Sequence, residues 1–211
     1  MIYQIAEVMR DVRIALDQNN TSEQLLADGD IDTLSLDEIV RSKILEAVRR
    51  VHTEAPPYML ESGHDFGDEL YWADKNSGWV LLPDDFLRLI VFRMTDWERS
   101  VYTAISTDDP DYEKQSSRFK GIRGTAQKPV CAIAIRPEGR VLEFYSCKSN
   151  NAKVSQGTYI PLPYIDEDGG IDISPRCHQA VVYMAAALVS TTLGEGDKAS
   201  AFVELSKSEL Q

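Results

Sequence analysis

The spacing of apolar residues changes along this chain, from the period of a helix at both ends to the period of a strand in the middle. That change limits it to folds that combine both elements. Ile2, Ile5, Met9, Val12 and Leu16 recur at steps of three and four, which predicts a helix over 2–18. A second helix starts at Ser35-Leu36-Asp37-Glu38, a capping box in which the Ser35 hydroxyl accepts from the Glu38 amide and the Glu38 carboxylate reaches back. Leu34 is placed to staple against Ile39. Leu36, Ile39, Val40, Ile44, Ala47, Val48 and Val51 carry its apolar stripe until Pro56-Pro57, which lack amide donors, so this helix should end near 54. Ser174-Pro175 predicts a third start, with Ala180, Val181, Met184, Ala185, Leu188 and Val189 on one side and Gly194 as the stop. A last helix over 197–208 is expected to bury Ala201, Phe202 and Leu205.

In the middle, residues 130–136 and 140–146 are apolar, β-branched and aromatic runs separated by Pro137-Glu138-Gly139, the pattern of a β-hairpin. Trp79–Leu82 and Leu89–Met94 read as partner strands with a bend at Pro83-Asp84-Asp85-Phe86 between them. Residues 158–163 are extended too, and their prolines predict a sheet edge. The expected class is therefore α+β: a helical bundle from residues 1–57 and 174–211, carrying a β-rich insertion of antiparallel hairpins over 78–173. A long basic loop is expected near 107–128, its Gln115 to Gln127 part projecting from the sheet.

The 211 residues and 43% hydrophobic content suit one domain of good size. No apolar run reaches the roughly 18 residues of a membrane span, and no basic region followed by an apolar segment opens the chain, so a soluble protein that is not secreted is expected. Cys131, Cys147 and Cys177 are widely spaced and odd in number, which suggests neither a disulfide framework nor a zinc site. The polar, acidic stretch from Gln18 to Asp32 suits a mobile connection. The net charge of −12 argues against a whole surface that grips phosphate. Within 114–140, however, Lys114, Arg118, Lys120, Arg123, Lys128, Arg136 and Arg140 face one acid, Glu138, so this window is +6 and the remainder −18. Such a patch could meet an acidic partner or pass near nucleic acid, or only keep the loop solvated.

Catalytic patterns are thin. No G-x-S-x-G elbow, no phosphate loop and no H-E-x-x-H zinc motif occurs. Cys177-His178 are neighbours at a helix start, where side chains diverge by about 100° and pair poorly, so a buried structural cysteine is the simpler reading. Asp28-Gly29-Asp30-Ile31-Asp32 approaches a calcium loop, but Thr33 stands at the required glycine and Ile39 at the required glutamate. His64, Asp65, Asp68 and Glu69 lack a second ligand cluster. Neither catalytic nor metal-binding residues, and no cofactor, are expected.

Four stretches carry a likeness: LSLDEIVRSKILEAVRRVHTEAP (34–56), VLLPDDFLRLIVFRMTDWERSV (80–101), KPVCAIAIRPEGRVLEFYSC (128–147), and the run from YIPLPYIDEDGGIDISPRCHQAVVYMAAALVSTTLG to the C-terminal helix (159–210). In this layout the chain resembles the head-to-tail connector, or adaptor, proteins of tailed bacteriophages, also called tail tubular protein A. The resemblance implies a structural virion protein made in the host bacterial cytoplasm and placed in the neck. Copies would form a ring, dodecameric in that family, between the capsid portal and the tail or neck proteins. DNA would pass through without sequence-specific binding, no membrane would be involved, and no residue would be catalytic. A ring subunit needs lateral anchors. Arg118, Lys120, Arg123 and Lys128 in the basic loop, Trp97, and Phe202 with Leu205 on the last helix are the candidate partner-binding residues. Tyr58, Met59, Leu60, Tyr71 and Trp72 could also anchor a neighbour, or could cover their own core. The alternatives are a non-catalytic interaction module of another assembly, a small DNA-binding protein using the basic loop, and an enzyme with an unusual site at Cys177 and His178 or at His64 and Asp68.

Overall fold

The computed structural model describes residues 1–16, 35–60, 63–117, 119 and 121–211. The Leu34 staple, the connection over 18–32 and the calcium-like stretch over 28–32 lie outside them. The chain divides into two compact units, Met1–Glu61 with Leu162–Gln211, and Ser62–Pro161.

The terminal segments do not make a helical bundle. The described residues form a mixed α+β structure with five α-helices and three sheets, and strands are plentiful beside helices of 5 to 19 residues. The first unit holds a sheet of its own, in which β1 (Ile2–Gln4) pairs antiparallel with β10 (Gly170–Asp172). Residues 2–4 therefore leave the predicted helix. Gln4 is extended at φ −74° and ψ 136°, the Ile5 amide donates to the Gly169 carbonyl at 3.0 Å, and α1 runs only over Ile5–Ala15. Backbone partners more than 160 residues away outcompete a local helical turn there.

α2 (Leu36–Glu54) keeps both predicted ends. Ser35 Oγ accepts from the Glu38 amide at 3.3 Å and the Glu38 carboxylate accepts from the Ser35 amide at 2.8 Å. Leu36, Val40, Ile44, Ala47, Val48 and Val51 are buried. α4 (His178–Thr192) begins three residues later than the Ser174-Pro175 signal implies, because the Ser174 hydroxyl donates to the Met59 carbonyl instead of capping. Its alanines and valines are buried on nearly every side, since α1, α2 and the next helix all pack on it and small side chains permit close approach. Gly194, at φ +80°, ends it in the left-handed region open to glycine. α5 (Gly196–Ser208) then packs back on α4, with Ser206 Oγ donating to the Ala180 carbonyl at 2.8 Å. Its buried side chains are Ala199 and Ser206, followed by Leu210, whereas Ala201 and Leu205 are exposed and Phe202 is half-buried. The predicted register of that helix is corrected accordingly.

The second unit stacks its strands around Phe66, Phe86, Phe92, Met94, Leu142, Phe144 and Tyr159. β7 (Cys131–Arg136) and β8 (Gly139–Phe144) form the predicted hairpin. They lie in a five-stranded sheet that continues through β4 (Gly78–Leu81) to β3 (Leu70–Trp72) on one side and ends at the two-residue β6 (Ile105–Ser106) on the other. β5 (Phe86–Met94) does not pair with β4. It joins β9 (Val154–Pro161) in a three-stranded sheet completed by β2 (His64–Asp65). β9 is thus the central strand, not an edge: Pro161 lies at its last position, and residues 154–160 keep every amide for the ladder. A Cβ on Gly157 would come within 2.4 Å of the Phe66 carbonyl, so glycine there lets that segment cross closely. Among the described residues of the 115–127 stretch, Phe119 and Ile122 are exposed, while the Gln115 and Gly124 ends are tied to each other. α3 (Pro110–Lys114) leads into this stretch, and the Gln115 side chain, itself buried, accepts from the Gly124 amide at 2.9 Å. Among the described residues no helix is long and apolar enough to cross a membrane.

Candidate interaction face of the five-stranded sheet

Strand register places Tyr71, Trp79, Glu143 and Ala132 in one row across β3, β4, β8 and β7. Alternation along each strand keeps that row on a single face, opposite the core residues Val80, Leu142 and Cys131. Glu143 is the unusual member, a carboxylate only 4% exposed in the middle of a strand. A buried charge of this kind needs its lone pairs filled. Arg136 donates to Oε1 through Nε at 2.8 Å and Nη2 at 2.5 Å, while Oε2 accepts from the Tyr112 hydroxyl at 3.0 Å and from the Tyr145 hydroxyl. Burial, with the Glu143 carboxylate next, pushes both phenols upward from their ordinary value, so they remain protonated donors.

The Arg136 guanidinium also lies 4.0 Å over the Trp79 ring, and Tyr71 stacks on the same indole at 5.9 Å and 11°. Arg136 therefore bridges the carboxylate and the aromatic pair. α3 delivers Tyr112 to this cluster, started by the Asp109 carboxylate, which accepts from the Asp111 amide at 2.8 Å. Between α3 and the sheet lies an open cleft of about 650 Å³, with Asp74, Ser77, Glu113, Ser116 and Arg123 on its walls beside the Glu143 cluster. Burial works upward on Asp74. It is outweighed by the Asn76 amide, the Ser77 hydroxyl and amide, and the Arg123 charge, which hold that carboxyl below its usual value. The arrangement offers an aromatic and arginine surface, the residue types that anchor protein contacts.

The residues singled out from sequence are scattered. Arg118 and Lys120 lie outside the described residues. Arg123 forms part of the cleft wall, and Lys128 is exposed at a turn closed by mutual backbone hydrogen bonds with Thr125 at 3.0 Å. Trp97 is 2% exposed, its ring edge-on to Phe92 at 5.8 Å, and it belongs to the core of the second unit. In the first unit Phe202 stacks on Tyr183 at 6.3 Å and Leu205 is exposed beyond it. Tyr58 is exposed, its hydroxyl donating to the Gln211 carbonyl at 3.3 Å, whereas Met59 is buried. Cys177 is buried with its thiol directed at the Met59 carbonyl at 3.7 Å, and burial pushes it up. His178 turns elsewhere, stacking on Tyr3 at 4.6 Å with Nε2 3.5 Å from Asp11. His64 is exposed and meets the Tyr159 ring edge-on. Among the described residues no three His, Cys, Asp or Glu side chains converge to hold a metal ion.

Glu143, Tyr112, Tyr145, Trp79 and Arg136 form the cluster that sequence reasoning did not single out as a site. One signal was present: a glutamate inside the apolar run Val141-Leu142-Glu143-Phe144 has to be paired if that strand is buried. No protein-family model matches this sequence, and no curated protein matches it either.

Proposed function

We propose that this chain is a structural, non-catalytic subunit of a tailed-phage neck, copies of which close into a ring that joins the capsid portal to the tail and lets DNA pass. The observation that carries the reading is the surface of the Ser62–Pro161 unit. There Phe119 is 72% exposed and Ile122 52%, on the same segment as Arg123 and Lys128, and on β7 Ile135 is 86% exposed. Large apolar side chains standing free among basic ones have the composition of a protein contact.

Charge supports the same reading. The Ser62–Pro161 unit carries 13 Lys and Arg against 14 Asp and Glu, a net −1, and the rest of the chain carries 9 against 20, a net −11. A ring closes through two different surfaces that meet head to tail. A nearly neutral, base-studded surface on one copy suits an acidic surface on the next, and the acidic remainder suits a channel from which DNA slides free. The rival thiol chemistry needs a cysteine with a lowered pKa, and burial pushes Cys131, Cys147 and Cys177 in the opposite direction.

The test is sedimentation of the native chain with phage particles in a producing culture, followed by immunogold labelling. Label at the junction of head and tail supports the proposal, and a chain that stays in the low-mass fraction while intact particles lack it overturns it. Arg123→Glu with Lys128→Glu should weaken portal docking while the monomer stays folded, and undiminished docking removes this segment from the mechanism.

A further inference from the structure

The cleft beside Glu143 shares Arg123 and Tyr145 with a smaller pocket of about 220 Å³ on the other side of them. Its charged wall residues are Arg123 and Lys148, and Asn76, Thr125, Tyr145 and Ser146 supply its polar surface. Two cations and no carboxylate lining one pocket is unexpected in a chain of net charge −12. Three acids stand near it without lining it: the Asp96 carboxylate accepts from the Lys148 backbone amide, Asp74 on the wall of the larger cleft feels the Arg123 charge, and Glu98 lies 3.7 Å from Lys148 Nζ, with both side chains more than half exposed.

The pocket is also held in shape. The Gly124 amide donates to the Gln115 side chain, and a Cβ on Gly124 would come within 2.6 Å of Ser146 Oγ, so the backbone next to Arg123 forms the wall itself. The Glu98 amide donates to the Ala126 carbonyl at 2.8 Å, fixing the far side of the 123–126 segment. Opposite, the Cys147 amide donates to the Asn76 carbonyl at 3.0 Å and Asn76 Nδ2 to the Cys147 carbonyl at 2.7 Å, which fixes the chain that presents Lys148. Two tethered segments that each present a cation, with the Thr125 and Ser146 hydroxyls lining the same pocket, suit an anion with several acceptor oxygens.

We propose that this pocket binds a phosphoryl group, either inorganic phosphate or a small phosphomonoester, with Arg123 and Lys148 as its counter-charges. The volume holds several waters, hence a tetrahedral anion with a short organic substituent. This goes beyond the neck reading and does not depend on it.

The test is calorimetric titration of the full chain with inorganic phosphate, glycerol 3-phosphate and acetate, at constant ionic strength set with chloride. One saturable site for either phosphoryl ligand is expected, at least tenfold tighter than acetate. Arg123→Gln and Lys148→Gln should each weaken it by about tenfold, the loss of one charge-assisted contact, and Lys153→Gln should leave it unchanged. Tryptophan emission identifies folded variants, and Lys148→Gln alone suffices where Arg123→Gln does not fold. No saturable binding, equal affinity for acetate, or the same loss in Lys153→Gln overturns the proposal.

Discussion

Arg136→Met removes the guanidinium that fills one oxygen of Glu143 and keeps an apolar stem of similar length against Trp79. The carboxylate is 4% exposed and retains only the Tyr112 and Tyr145 hydroxyls on its other oxygen. Breaking a buried pair from one side costs about 3–5 kcal/mol. The Arg136 side chain is 33% exposed, so water reaches part of the vacated space and about 3 kcal/mol is expected. Glu143→Gln is milder, about 1–2 kcal/mol, because the freed arginine can turn to solvent while the amide still accepts from a phenol. The double variant should cost about 1 kcal/mol more than Glu143→Gln alone, leaving a coupling of about 2 kcal/mol in the cycle. The assay is urea unfolding followed by tryptophan fluorescence. Trp72, Trp79 and Trp97, the three tryptophans of the chain, all fall in the Ser62–Pro161 unit, so their emission reports that unit, while far-ultraviolet circular dichroism is weighted toward the helices of the other. Additive single effects, or a loss below 1 kcal/mol in Arg136→Met, would refute the view that Arg136 holds the buried carboxylate.

Ile44→Ala opens a cavity under α2 among fully buried neighbours and should cost about 3–4 kcal/mol in the circular dichroism transition. A loss under 1 kcal/mol would mean the site collapses freely. The Ser35 amide, then its hydroxyl, hold the Glu38 carboxyl below its ordinary value, so the unfolded chain takes up the proton first as pH falls. The contribution of this capping pair is therefore complete above about pH 4.5 and lost as pH drops through the lowered folded value. Ser35→Ala should flatten that acid limb of the helical signal, and an identical limb in both proteins would contradict the assignment. Burial pushes Cys147 up to about 12 and raises Cys131 and Cys177 as well, so all three thiols should resist alkylation at pH 8 until urea unfolds the chain. Rapid labelling of native Cys177 would revive the thiol-enzyme alternative. Gly78→Ala should destabilise the Ser62–Pro161 unit by about 1–3 kcal/mol in the same fluorescence assay, because its Cβ would meet the Tyr71 carbonyl at 2.3 Å and the Phe144 ring at 2.8 Å. An unchanged midpoint would mean those strands shift apart at little cost.

What the sequence by itself determined is what neighbouring residues decide among themselves. The capping box at Ser35 and Glu38 and the prolines at 56 and 57 act within one helical turn, and both ends of α2 were legible from them. The same holds for the β7–β8 hairpin, whose two strands are joined by a short turn, and for the stop at Gly194. Tertiary structure decided what depends on distant partners. Ile2–Gln4 carries the apolar spacing of a helix, yet it is a strand because Gly170–Asp172 offers it a ladder. Residues 158–161 contain the proline of an edge, yet β2 and β5 pair on both sides of β9. Trp97 is as suitable an anchor by composition as Trp79, and only the packing of Phe92 against it makes it core. The cleft cluster was hidden for the same reason: Tyr112 and Glu143 stand 31 positions apart and Tyr71 and Glu143 lie two strands apart. Local hydrogen bonds and periodicity reach about four residues along a chain, whereas burial and strand pairing are set by whichever segments the closed fold brings together.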